Sequence, residues 1–211
     1  MFENLSTIKH LDLSSFDTSN VTNMGSMFAG CSSLANLDLS SFDTKNVGKM
    51  NCMFYGCTSL DSLMLSNFTF KDSLDTGFIF SDCHSLSYVG MQNVKIEGNG
   101  GAGLFESSKS KVKTIDLSNA NITKATTLDY MFFGCSFLET IYATNWDVKS
   151  CSTFGMFSDC NNLKGSKGSK IGANLYGYGE DGNPLYYNCP TDGSAAHIDG
   201  GKDNPGLFTA K

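Results

Sequence analysis

Residues 11–31 read LDLSSFDTSNVTNMGSMFAGC and residues 37–57 read LDLSSFDTKNVGKMNCMFYGC, two stretches offset by 26 positions that share fifteen of twenty-one letters. A short fixed period means that each unit is one supersecondary element able to bury its apolar side only against the next copy. The Phe closing each copy recurs as Phe2, Phe28, Phe54, Phe80, Phe105, Phe132 and Phe157, at spacings of 26, 26, 26, 25, 27 and 25 residues. About six units therefore lie between residue 1 and about residue 164, and a segment of different character, 165–211, follows.

Within one unit, Leu37 and Leu39 alternate with Asn36, Asp38 and Ser40, the period-two pattern of a strand with one buried face. Val47, Met50, Met53 and Phe54 then recur at three- and four-residue steps, which predicts a short helix ending at Gly56. Between them, Asp43, Thr44 and Asn46 are suited to satisfy the loop and cap the helix. The expected fold class is α/β: a right-handed leucine-rich-repeat-like solenoid over 1–164, with a parallel sheet on one face and short helices on the other. Residues 165–211 are expected to form a C-terminal cap, because the last unit of such a stack leaves an open edge. Ile198, Leu207 and Phe208 are its expected plugs.

The order L-x-x-L-x-L-S-x-F-D-T-S-x-V-x-x-M-x-x-M-F-x-x-C resembles the 26-residue repeat of bacterial surface proteins, a BspA-like leucine-rich-repeat family of the DUF285 type. It is close in the units ending at Phe28 and Phe54, recognisable at Phe80, Phe132 and Phe157, and loose around Phe105. The resemblance implies an exported, extracellular or cell-surface location and a role in adhesion or protein binding. Met1 and Phe2 already stand in the repeat register, which suggests a longer chain with its export signal and N-terminal cap upstream.

A formal net charge of -6 argues against nucleic acid and anionic membrane surfaces as partners. No apolar run reaches the roughly 18 residues of a spanning helix, so this segment is not expected to insert in a membrane. Five of the eight cysteines, Cys31, Cys57, Cys83, Cys135 and Cys160, follow the marker Phe by three residues and should stack as a column of buried structural thiols. No CxxC pair is present, and a column spaces ligands linearly, so no metal is expected. GNGGAG at 98–103 fits G-x-G-x-x-G, but neither a helix nor a βαβ context surrounds it, so it reads as a flexible insertion and not as a nucleotide site.

His10, His84 and His197 belong to no catalytic motif, and no catalytic residue or cofactor is expected. Function should then sit on outward positions of the strands. One outward column holds Asp12, Asp38, Met64, Gly90, Asp116 and Tyr142, and its neighbour holds His10, Asn36, Ser62, Tyr88, Thr114 and Thr140. Tyr88, Tyr142 and Met64 are the large side chains among small polar ones and are the candidate partner-binding face, with Asp12, Asp38 and Asp116 beside them. The expected product is a monomeric, non-catalytic module contacting a protein or host surface ligand. The alternative is a structural spacer with no ligand of its own.

Overall fold

The computed structural model describes residues 1–71, 78–106, 110–144, 146, 148 and 150–164, together with the backbone of three short strands, 176–178, 184–186 and 208–209. Its strands are β1 (Ser62–Met64), β2 (Thr69–Phe70), β3 (Tyr88–Gly90), β4 (Lys95–Gly98), β5 (Thr114–Leu117), β6 (Asn121–Ala125), β7 (Thr140–Ala143), β8 (Tyr176–Tyr178), β9 (Pro184–Tyr186) and β10 (Phe208–Thr209). They form a five-stranded sheet in the order β1-β3-β5-β7-β10, a three-stranded sheet β2-β4-β6, and the antiparallel pair β8-β9. Both larger sheets are parallel, and Ser62, Tyr88, Thr114 and Thr140 pair successively, as do Met64, Gly90, Asp116 and Tyr142. The register derived from the 26-residue period is thus the register of the sheet.

Each middle unit contributes one strand to each sheet, and the chain turns between the two at Asn67, Asn93 or Asn119, with φ of 68°, 58° and 58°. Asn tolerates this left-handed conformation better than other side chains. The second sheet was not foreseen, because its short TF, KI and NI runs carry too little period-two signal to stand out.

The expected helices are absent among the described residues, which contain only turns where those helices were placed. Among the described residues, left-handed residues stand two places before the marker Phe (Ser26, Cys52, Phe78, Gly103, Tyr130, Gly155) and two places after it (Asn4, Gly30, Gly56, Asp82, Gly134, Asp159). A right-handed helix cannot pass through either. The amides of Met24, Ser26, Phe28 and Gly30 instead donate to the carbonyls of Lys49, Asn51, Met53 and Tyr55 in the next unit, at 2.7–2.9 Å. Those of Met27, Ala29 and Cys31 bond three residues back, at 3.1–3.2 Å. Successive three-residue turns bury Val47, Met50, Met53 and Phe54, the residues an amphipathic helix would bury, so spacing alone does not separate the two.

The marker rings form one continuous stack, with neighbouring centroids 5.6, 5.8, 6.0, 5.0, 5.7 and 5.6 Å apart and planes within 18° of parallel. Beside it runs the thiol column. Sγ of Cys31, Cys57, Cys83, Cys135 and Cys160 each donates to the carbonyl of the preceding marker Phe (Phe2, Phe28, Phe54, Phe105 and Phe132), at 2.9–3.3 Å. Burial pushes the Cys83 thiol up to about 12 and raises Cys57 further.

Two other expectations are corrected. Residues around Leu37 and Leu39 have buried leucines but form no regular strand, and the first two units contribute none to the sheet. GNGGAG is a packed turn, since a Cβ on Gly100 would meet the Phe70 carbonyl and one on Gly101 the Leu128 side chain. Of the expected cap, Ile198 and Leu207 lie outside the described residues, while Phe208 begins β10, which pairs in parallel with β7.

Candidate functional site

The sheet places four of the six candidate residues together. Met64, Gly90, Asp116 and Tyr142 follow one another across β1, β3, β5 and β7, with Tyr88 two positions before Gly90 on β3. Met64 is 46% exposed. Its thioether lies over Gly90, where an added Cβ would come within 2.5 Å of Sδ, so the glycine is what lets this side chain reach across the sheet. Tyr88 and Tyr142 are half-buried.

Asp116 is buried, unlike the equivalent Asp12 and Asp38. One of its oxygens accepts from the Tyr88 hydroxyl at 3.2 Å and from Gln92 Nε2 at 2.6 Å. The other accepts from the Ser118 amide at 3.0 Å and hydroxyl at 2.6 Å. Ser66 Oγ donates to the Gln92 carbonyl oxygen at 2.9 Å, so the network crosses three successive units. A buried carboxylate is tolerated when donors surround it in this way. Tyr88 is therefore partly committed to the fold, and Gln92, a repeat position that is Ser in the flanking units, joins the site although the sequence did not single it out.

Asp12 and Asp38 stand apart from this network. Asp12 Oδ1 accepts from the Ser14 amide at 3.0 Å and hydroxyl at 2.7 Å, and Asp38 Oδ1 accepts from the Ser40 amide at 2.9 Å. The Ser14 hydroxyl and amide lower the Asp12 carboxyl, and the Ser40 amide and hydroxyl do the same for Asp38. An Asp-x-Ser turn recurs at Asp116 and Ser118, so the repeated carboxylate shapes the backbone in every unit that carries it. His10, Asp12, Ser14, Asp38 and Ser40 border an open groove of about 380 Å³. Among the described residues no three His, Cys, Asp or Glu side chains gather to hold a metal. Among them, too, no helix is long and apolar enough to cross a membrane.

The largest exposed rings lie elsewhere, on the turns around the marker Phe. Phe78 is 62% exposed, Phe137 47%, Tyr55 43% and Phe154 37%. Tyr55 hydrogen-bonds to Asp82, and that bond followed by the carboxylate charge raises its phenol. Tyr130 packs edge-on against Phe133 and Phe154, with centroids 5.7 and 5.3 Å away. Its ring also covers Gly155, whose missing side chain leaves room for it. The signal was present in the sequence: Ala29 becomes Tyr55 and then Phe133 in later units, and Ser26 becomes Phe78 and Tyr130. Reading outward positions only from the strands passed over them.

The family described as "Mycoplasma protein of unknown function, DUF285" matches residues 1–94 and 102–169. The chain belongs to the DUF285 family. The break in the match, 95–101, takes in all of β4 and the first four residues of the GNGGAG turn, where the sequence also leaves its own repeat. No curated protein and no solved structure matches the chain.

Proposed function

We propose that this DUF285 chain is a non-catalytic repeat module of a bacterial cell surface, related to the BspA-like leucine-rich repeats and used for adhesion or protein contact. In this reading residues 1–164 wind as one right-handed solenoid, and 165–211 close its C-terminal end. The observation that carries it is where the chain departs from its own consensus. Small or acidic residues of the early units give way on the surface to Met64, Tyr55 and Phe78, exposed by 46%, 43% and 62%. Exposed aromatic and Met side chains on a rigid scaffold are the usual anchors of a protein interface.

A second reading, a spacer with no ligand, draws support from Tyr88, whose hydroxyl is engaged within the fold by Asp116. The two separate in a pull-down with immobilised extracellular-matrix and mucosal proteins. An adhesion module retains a partner that is lost with Met64→Ala/Tyr142→Ala or with Tyr55→Ala/Phe78→Ala. Recovery of nothing above background by the unaltered chain supports the spacer.

A further inference from the structure

The turns that carry the marker Phe change character along the stack. Around Phe28 they are built of small residues, Gly25, Ser26, Ala29 and Gly30. In the units from Phe54 onward the same four positions take rings and carboxylates, first Tyr55, Phe78 and Asp82, then Glu106, Asp129 and Phe154. Tyr55, Phe78, Glu106 and Phe154 are exposed, and Asp82 and Asp129 are half-buried. Among the described residues within four places of these later markers no lysine occurs, and the one ionisable nitrogen is the His84 imidazole, 4.0 Å from Asp82 Oδ1. The whole chain contains no arginine.

Ring and carboxylate are coupled here. The Tyr55 hydroxyl hydrogen-bonds to Asp82 of the next unit, which holds a negative group at the rim of an exposed ring. A cation seated over that ring meets both the negative face of the π-system and the carboxylate. An anion is repelled by both. A purely apolar partner would strip water from the carboxylates and return no hydrogen bond. The net charge of -6 draws a cationic partner toward the chain as well. At roughly 4.8 Å per unit, the four steps from the Phe54 turn to the Phe157 turn cover about 20 Å, the reach of about six residues of extended chain.

We infer that this turn face binds a cationic, extended segment of a partner protein, whose lysine or arginine side chains lie over the Tyr55 and Phe78 rings and pair with Asp82 and Glu106. The inference rests on the reading of the chain as a contact module and names the chemistry of its partner. Because the rings and the carboxylates alternate along the stack, both are needed: charge alone attracts the segment, and the rings seat it.

The test titrates fluorescein-labelled hexaarginine and hexaglutamine against the full chain and three variants of it, read by fluorescence anisotropy. Tyr55→Ala/Phe78→Ala removes rings and no charge, Asp82→Asn/Glu106→Gln removes two charges at the turns, and Asp17→Asn/Asp61→Asn removes two exposed carboxylates elsewhere. Expected is hexaarginine binding at least tenfold tighter than hexaglutamine. The ring variant should weaken it at least fivefold and the turn-charge variant at least threefold, while Asp17→Asn/Asp61→Asn changes it less than twofold. Should the ring variant melt early, Tyr55→Leu/Phe78→Leu keeps apolar bulk without a ring face and is expected to weaken binding equally. Hexaarginine that does not bind, or binds no better than hexaglutamine, overturns the inference. So does a ring variant that binds as well as the unaltered chain, or equal losses in the two charge variants, which would mean diffuse attraction only. A chain that ignores hexaarginine yet retains a matrix protein released by Tyr55→Ala/Phe78→Ala keeps the contact reading and loses the cationic partner.

Discussion

The first two units and those that follow rest on the same phenylalanine stack but join their backbones by different means. One buried column runs Thr18, Thr44, Phe70, Ile96, Ile122 and Val148. In the later units the amides of Lys95 and Asn121 donate to the carbonyls of Phe68 and Val94, each at 2.8 Å, as part of the second sheet. In the early ones a hydroxyl takes the place of that carbonyl. Thr18 Oγ1 accepts from the Asp43 amide at 2.8 Å and donates to the Asp43 carbonyl at 3.0 Å, while Thr44 Oγ1 accepts from the Thr69 amide at 2.8 Å. Asn46 adds a side-chain bond to the Ser19 carbonyl at 2.7 Å. The FDTSN and FDTKN loops are therefore side-chain rungs between units. Where Thr gives way to Phe or Ile, the apolar residue cannot bridge, and the backbones close directly into a ladder.

The largest expected effect removes what both halves share. Phe54 sits between Phe28 and Phe80 in the stack, and Phe54→Ala should cost about 3–5 kcal/mol, seen as a fall in the urea midpoint. Alkaline pH should act on the shared thiol column next. Cys57 and Cys83 ionise far less readily folded than unfolded, so the unfolded chain alone loses these protons first above about pH 9. Stability should be level below that pH and then fall, by about 1.4 kcal/mol per pH unit for each thiol, until the folded thiols ionise near or above pH 12. Cys57→Ser/Cys83→Ser should flatten the fall, and a denaturation series from pH 8 to 11 checks it. At the acid end the sign reverses for the exposed Asp12, Asp17, Asp38 and Asp43, whose lowered carboxyls contribute above about pH 4 and cease to as pH drops through their folded values.

Substitution within the rungs divides the halves. Thr44→Val keeps the shape but leaves the buried Thr69 amide without its acceptor, at a cost of about 1–3 kcal/mol. Ile122→Val in the same column deletes one methylene and should cost about 0.5–1.5 kcal/mol, with every interunit bond kept. An effect of similar size belongs to the later units alone: Tyr88→Phe loses the 3.2 Å bond its hydroxyl donates to Asp116 and the 3.3 Å bond it accepts from Gln92, and should cost about 0.5–1.5 kcal/mol by thermal melting.

The period, the register of outward columns and the thiol column were all legible in the sequence, because each follows from counting residues between identical letters. The turns were not. Val47, Met50 and Met53 fall at spacings shared by a helix and by consecutive three-residue turns, and what decides between them is backbone φ at Cys52 and Gly56, 55° and 70°. A Gly there could be read as the end of a helix, but a Cys, Phe or Tyr in left-handed conformation carries no such mark. For the candidate face, letters located Met64 beside Tyr142. Whether Asp116 was exposed like Asp12 or buried depended on Gln92 and Tyr88 reaching it from the neighbouring strand, which no periodicity reveals.

The difference between the halves is read most directly by amide hydrogen exchange on the unaltered chain and on Thr44→Val. If a hydroxyl rung holds the early units together, the Thr69 amide exchanges as slowly as those of Lys95 and Asn121 in the unaltered chain. In Thr44→Val it should exchange at least tenfold faster, while the other two do not change. A Thr69 amide that exchanges freely from the start, or one that stays protected after Thr44→Val, would contradict the account.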